Sequence, residues 1–180
     1  MKRLTTLLCI CIIVALTLIG CGDSNTGSGT QNNGGNTNTA DTGNKGGKGY
    51  VFKAKGVEIS IDMDMSAIEE KLGETVSYFE EPSCAAQGTA RLFTYSGFEI
   101  DTYPDGEKDL VGYIILKDDT VATPEGIDLS KTKTDVIKAY GENYKENGTA
   151  LVYEKDGMKL SFILNGDNIS SIQYSSAVMD

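Results

Sequence analysis

The sequence predicts an α+β domain, a tandem repeat of a helix followed by a three-stranded antiparallel meander, with the helices packed on one sheet face. Three observations predict this class. A helical motif occurs twice, each copy is followed by two β-prone runs around a two-residue turn, and a third apolar run ends each copy. The repeats are expected at about 57–120 and 125–176. We interpret them as halves of one domain covering residues 50–180, because a single repeat would bury too little surface to be stable.

Each repeat begins with a short helical motif. Ile68 and Leu72 lie four residues apart and share one helix face, as Val136 and Tyr140 do in the second copy. A glycine follows each motif, where helices often end in a left-handed residue. Short apolar alternations before the motifs predict entering strands. The aligned motifs are residues 65–74 and 133–142, and the alternations are Val57/Ile59/Ile61 and Ile127/Leu129.

A hairpin follows each helix. Ser96-Gly97 and Asp156-Gly157 are two-residue turn signals between β-rich runs. Such turns place residues 95 and 98 opposite each other in the first hairpin, and residues 153 and 160 in the second. Each hairpin then has a continuous apolar face. Third strands are expected over residues 110–116 and 169–174, and the first copy holds eight extra residues in a loop around residues 78–87.

The opposite face of the first hairpin is polar, and we expect it to be solvated or to bind a partner. It carries Thr94, Glu99, Asp101 and Tyr103. Tyr78 in the long loop joins them as a candidate, because tyrosine is favoured in binding patches. The alternative is that each tyrosine is partly buried at a sheet edge. The predicted binding residues are therefore Tyr78, Thr94, Glu99, Asp101 and Tyr103.

The first 20 residues have the order of an export signal. Two positive charges near the N-terminus are followed by an apolar run over residues 4–19, then by Gly20 and Cys21. The run is short for a bilayer span of roughly 20 residues. Residues 18–21, Leu-Ile-Gly-Cys, resemble the bacterial lipobox, which implies removal of a signal peptide over 1–20 and a lipid on Cys21. The alternative is an ordinary cleaved signal with a free cysteine.

The predicted address is thus the outer face of the cell membrane, with the protein held there by its lipid. Residues 21–49 are rich in Gly, Asn, Thr and Ser and have no large apolar side chain, which predicts a disordered tether. After removal of the signal only Cys84 could be a free thiol, and a lone cysteine is more often buried than reactive.

Composition narrows the chemistry of the domain. Residues 50–180 hold 12 basic and 24 acidic side chains, so the domain repels phosphate backbones and nucleic-acid binding is excluded. The chain has no His and no Trp, which removes Ser-His-Asp and Cys-His catalysis and most zinc and copper sites. We expect no enzyme activity and no cofactor. Carboxylate pairs such as Glu99 with Asp101 leave one alternative, a glycan hydrolase.

A calcium site is a second candidate. Asp105, Glu107 and Asp109 space three carboxylates at alternate positions in a predicted turn, and calcium prefers oxygen ligands. The stretch lacks the full EF-hand pattern with its distal Glu. A solvated hairpin loop is the simpler interpretation.

Three segments resemble a group of uncharacterised lipoproteins of Gram-positive bacteria: Glu-Pro-Ser-Cys-Ala-Ala-Gln-Gly at 81–88, Tyr-Ser-Gly-Phe-Glu-Ile with Thr-Tyr-Pro at 95–104, and Thr-Pro-Glu-Gly-Ile at 123–127. The tandem unit is similar to the β-lactamase-inhibitor-protein-like fold, also found in small outer-membrane-assembly lipoproteins. The resemblance implies a location and a surface able to bind a protein partner. It implies no activity.

Together these features predict a non-catalytic, membrane-anchored module that binds a protein or a wall component through the sheet face and the 78–87 loop. A carboxylate-dependent hydrolase of wall glycans is the alternative. A solute-capturing lipoprotein is disfavoured, because the domain is too short for two lobes around a cleft.

Overall fold

The structure, a computed structural model, describes residues 49–84 and 86–176. Within these ranges the chain is mostly β, with two short α helices and one 3-10 helix. The strands are β1 Val51–Ala54, β2 Val57–Ser60, β3 Ser77–Pro82, β4 Thr89–Tyr95, β5 Phe98–Asp105, β6 Lys108–Leu116, β7 Lys145–Asn147, β8 Ala150–Lys155, β9 Met158–Asn165 and β10 Asn168–Ser176. The helices are the 3-10 helix Met65–Ala67, α1 Glu69–Leu72 and α2 Lys133–Tyr140.

Eight strands form one antiparallel sheet in the order β3-β4-β5-β6-β10-β9-β8-β7. Each half of this sheet is a four-stranded meander, and the two meanders meet where β6 pairs with β10. The edges of the sheet are therefore β3 and β7, the first strand of each meander. The other two strands, β1 and β2, form a separate hairpin.

The hairpin registers agree with the sequence prediction. Tyr95 lies opposite Phe98, and Tyr153 lies opposite Leu160. All four side chains are buried, because the two-residue turns keep the apolar residues of both strands on one face. The expected third strands are also present, within β6 and β10.

One hydrophobic core joins the two halves, and the β1–β2 hairpin contributes to it. Phe52 of β1 contacts Phe98 of the first half and Tyr174 of the second, with ring centroids 5.1 and 5.9 Å apart. Leu72 and Val136 add buried side chains from the helical segments. A single aromatic residue thus packs against both meanders.

The predicted α+β class is wrong. Among the described residues, helix is limited to the 3-10 turn, a four-residue α1 and an eight-residue α2, while each repeat holds four strands instead of three. The motif at residues 65–74 is not one helix, because Ile68 leaves helical geometry at φ −120° between the two turns. The alternation at Ile127 and Leu129 forms no strand, whereas Val57 and Ile59 lie in β2 as expected.

The N-terminal predictions lie outside the described residues. These are the signal peptide, the lipidated Cys21 and the tether, except for its last residue. Gly49 is buried against Met158, where a Cβ would come within 2.3 Å of the sulfur, so the domain begins at least one residue earlier than expected. Among the described residues, no helix has the length and apolar character needed to cross a membrane.

Candidate functional site

The sheet face opposite the core is the open face, and it brings three predicted residues together. Thr94 of β4 lies directly opposite Glu99 of β5, and Asp101 follows two residues later on the same face. Side chains alternate along a strand, so the buried Phe93 and Ile100 place these three on the other side. All three are half-exposed.

Two rows of residues cross this half of the open face. The first runs from the β3 edge inwards as Phe79, Leu92, Asp101 and Tyr113. The second runs as Ser77, Thr94, Glu99 and Ile115. Cross-strand neighbours of this kind lie about 5 Å apart at Cβ. The result is a strip in which apolar and acidic side chains are interleaved.

The two carboxylates of β5 have different surroundings. Glu99 forms an ion pair with Lys117, whose Nζ lies 3.1 Å from Glu99 Oε2. Asp101 forms no ion pair with a basic side chain in the part of the chain that the structure describes. Burial raises the pKa of the Asp101 carboxyl above its ordinary value, and the Glu81 carboxylate on β3 raises it further, while the Thr102 backbone hydrogen bond opposes them.

Tyr103 lies further along β5, and its side chain makes a structural contact. Its hydroxyl donates to Asp62 Oδ1 at 2.8 Å, which ties the sheet to the segment after β2. Burial, followed by this carboxylate, raises the pKa of the tyrosine well above its usual range. Tyr103 therefore shares the strand of the candidate residues, but its hydroxyl already has a partner.

Tyr78 does not join the open face. It lies opposite Phe93 in the β3–β4 pair, and the two rings meet edge to face with centroids 5.0 Å apart. Because Phe93 belongs to the core, Tyr78 lies on the core side of the sheet edge. Its hydroxyl hydrogen-bonds to Glu80. The loop predicted at 78–87 is in part a strand, so the prediction grouped residues that the sheet separates.

A groove of about 420 Å³ runs beside Tyr78 on that side. Arg91 lies in it and pairs with Glu80 at 3.0 Å and with Asp109. The hydrogen bonds from Tyr78 and Arg91 hold the pKa of Glu80 below its ordinary value. The lining residues include Asp64, Glu69, Glu107, Asp109, Phe93 and Met65.

The calcium prediction fails in this geometry. Asp105 and Lys108 flank the β5–β6 turn as opposite partners, and Asp109 is engaged by Arg91. No group of three His, Cys, Asp or Glu side chains placed to hold a metal ion occurs among the described residues. The three carboxylates alternate in sequence, but the turn does not gather them. Cys84 was expected to be buried and is exposed.

Sequence reasoning named Tyr78 as a candidate but missed the two apolar residues near it, Val76 and Phe79. The exposed large hydrophobic residues of the described chain are Val76, Tyr78 and Phe79, and they are nearly contiguous at the β3 edge. A signal was present, because residues 75–79 read Thr-Val-Ser-Tyr-Phe, a β-prone run that ends near a proline, as edge strands do.

The comparisons with known proteins give a fold without a role. No family model matches the chain, and no curated protein matches it. A solved structure that is similar in fold is described as an extracellular protein containing a SCP domain from Bacillus anthracis strain Ames, with a TM-score of 0.50 and 12% identity. The match covers 66% of this chain and 45% of that one, so the chain spans less than half of that protein's length. At this identity the likeness concerns the fold alone.

Proposed function

We propose that the chain is a lipid-anchored, non-catalytic binding module on the outer face of the cell membrane, and that it holds a protein partner. The partner lies on the open face of the first meander and on the adjoining β3 edge. The observation that carries the proposal is the exposure of Val76, Tyr78 and Phe79, by 73%, 48% and 58%, at one edge of the sheet, where Phe79 lies on the open face and Tyr78 on the core side. Exposed apolar groups that cluster, rather than scatter, mark interaction surfaces.

The anchor rests on the export signal and on the lipobox-like end at Cys21. A lipid on this residue, followed by a long polar tether, would hold the domain near the membrane and leave its sheet free to meet a partner. Because the domain is strongly acidic, its partner is expected to present basic side chains.

Photo-crosslinking on intact host cells tests the proposal. A photoreactive residue replaces Thr94 or Phe79 in the full chain, and Lys138 on α2 serves as the matched control on the core side of the molecule. We expect one dominant protein adduct from the first two positions and none from the third. Equal labelling from all three positions, or no adduct at Thr94 and Phe79, would contradict a binding surface on this side.

One observation favours a second candidate, a carboxylate-dependent hydrolase of wall glycans. The raised pKa of Asp101 would suit a general acid, and Glu99 is the nearest carboxylate on the same strand face. Release of soluble fragments from purified peptidoglycan by the full chain, lost in Asp101→Asn, would establish this activity in place of the binding role.

A further inference from the structure

The two edges of the eight-stranded sheet differ in length and in protection. The β7 edge has three residues, and Lys145 and Glu146 are both held in ion pairs, with Glu154 at 2.6 Å and Lys133 at 3.2 Å. The β3 edge has six residues, all of them exposed. Charged, short edges resist the addition of another strand, whereas long apolar edges invite it. The β3 edge is the longer one, and it exposes Tyr78 and Phe79 beside two glutamates and a proline.

The backbone of β3 has hydrogen-bonding groups that point away from β4. The Ser83 amide donates to the Gly88 carbonyl at 3.0 Å, and bonding alternates along an antiparallel ladder. Odd-numbered residues of β3 therefore bond to β4, and the amides and carbonyls of Tyr78 and Glu80 point outwards. Pro82 has no amide to offer. An added strand would be short and would bond at Tyr78 and Glu80.

The charges beside this edge favour a basic partner. Glu81 and Asp101 lie on the open face, separated by β4, and among the described residues neither forms an ion pair with a basic side chain. Burial makes the charge of Asp101 less favourable and raises its pKa, and the Glu81 carboxylate adds to this. A lysine or arginine of an added strand, placed next to Glu81, would offset this concentration of negative charge.

The same charges argue against a second copy of this chain. Two β3 edges brought together would bring two copies of a domain with 24 acidic and 12 basic side chains into contact, and their net negative charges repel each other. Glu80 is already occupied by Arg91, so it does not contribute a free charge to a partner. The occupant is therefore an extended segment of another protein.

We propose that β3 accepts an extended, basic and apolar polypeptide segment as a ninth strand of the sheet. In this arrangement an aliphatic side chain of the segment covers Phe79, and a lysine or arginine lies over Glu81. Main-chain bonds to Tyr78 and Glu80 supply affinity, and the alternating side chains supply specificity. This inference rests on the proposed binding function and names the class of partner and its mode of attachment.

A capped, fluorescent heptapeptide of sequence Thr-Thr-Lys-Thr-Ile-Thr-Thr is the probe, titrated into the full chain and followed by fluorescence anisotropy. Two versions carry N-methyl groups on alternate residues, one on Lys and Ile, the other on the two threonines that follow them. Only one alternate set can bond to the edge. We expect one version to lose affinity about tenfold or more, as two missing hydrogen bonds imply, and the other to bind as the parent does.

Two variants of the chain test the contacts. Glu81→Gln should weaken binding about fivefold at low salt, and the effect should shrink as salt is added. Phe79→Ala should weaken it about fivefold at every salt concentration. Glu146→Gln, on the β7 edge, is the matched control and should leave affinity unchanged. Both test positions are exposed, so folding should be unaffected.

Equal binding of the two N-methylated peptides would overturn strand addition, as would no saturable binding of the parent peptide at millimolar concentration. Dimerisation of the full chain that is abolished by Phe79→Lys would also overturn it, by giving the edge to a second copy. The proposed function fails separately. It falls if Thr94 and Phe79 give no adduct on cells, and it stands if they do so while strand addition fails.

Discussion

Asp101 lies half-buried in the open face, opposite Leu92 and close enough to Glu81 for the two charges to interact. An aspartate whose folded pKa is raised holds its proton more tightly in the folded state than in the unfolded state. When ionised at neutral pH it therefore reduces stability. The reduction disappears as the pH falls through the raised value and below the ordinary one, about 3.9.

Asp101→Asn should accordingly stabilise the fold near pH 7. Since solvent screens a half-exposed charge, the gain should be at most about 0.5 kcal/mol. It should fade to nothing as the pH is lowered to about 3. Urea unfolding of the full chain at several pH values measures this, with Glu74→Gln, an exposed carboxylate outside the sheet, as the control. A gain that grows on acidification would contradict the assignment of the shift.

Single residues were predictable where strand parity governs them. Thr94, Glu99 and Asp101 lie together because a two-residue turn at Ser96-Gly97 determines which side chains share a face. Tyr78 was misplaced because its face depends on β3, and no two-residue turn signal in the sequence predicts that strand. Three alternating carboxylates at Asp105, Glu107 and Asp109 suggested calcium, yet spacing in sequence says nothing of the arginine from β4 that occupies Asp109.

Among the elements, α2 shows how eight residues remain helical within a β-rich fold. Thr132 accepts from the Asp135 amide, and the Asp135 carboxylate accepts from the Thr132 amide at 2.9 Å, so the two form a capping box. These bonds hold the pKa of Asp135 below its ordinary value. At the C-terminal end of α2, the Gly141 amide donates a hydrogen bond to the Ile137 carbonyl oxygen at 2.8 Å.

Thr132→Ala removes the N-terminal cap and should lower the free energy of unfolding by about 1 kcal/mol. Thr134→Ala is the matched control, since Thr134 lies exposed in the first turn and makes no capping bond; it should change stability by less than about 0.5 kcal/mol. Thermal unfolding of the full chain compares the two. Equal losses would show that the capping box does not stabilise α2.

Sequence reasoning missed β1 and the two edge strands of the large sheet. β3 and β7 face solvent along their whole length, so neither carries the alternation that marks a half-buried strand. The first helical motif misled in the opposite direction, because Ile68 and Leu72 have helical spacing but Ile68 lies between the 3-10 turn and the four-residue α1. The β1–β2 hairpin packs against core residues that are distant in sequence, and local sequence patterns do not predict such contacts.

At the scale of the whole molecule, the seam between β6 and β10 makes one sheet of the two meanders. Ile172 of β10 is fully buried and lies opposite both Leu116 of β6 and Phe162 of β9. The core is continuous across the seam. The two repeats should therefore unfold as one cooperative unit, as small single domains usually do.

Ile172→Ala should cost about 2–5 kcal/mol, and it should lower protection in both meanders equally. Native-state hydrogen exchange of amides in β5 and β9 measures the two halves separately. Ile163→Ala, a half-exposed residue of β9, is the control and should cost less than about 1.5 kcal/mol. Loss of protection confined to the second meander would show that the repeats are independent.

The binding surface itself is most directly tested by hydrogen–deuterium exchange of the full chain, with and without the protein that crosslinks at Thr94. We expect slower exchange of the Tyr78 and Glu80 amides and of the neighbouring strands, β4 and β5, with no change in α2. Protection confined to α2 or to the β7 edge, with β3 exchanging as fast as before, would contradict this expectation.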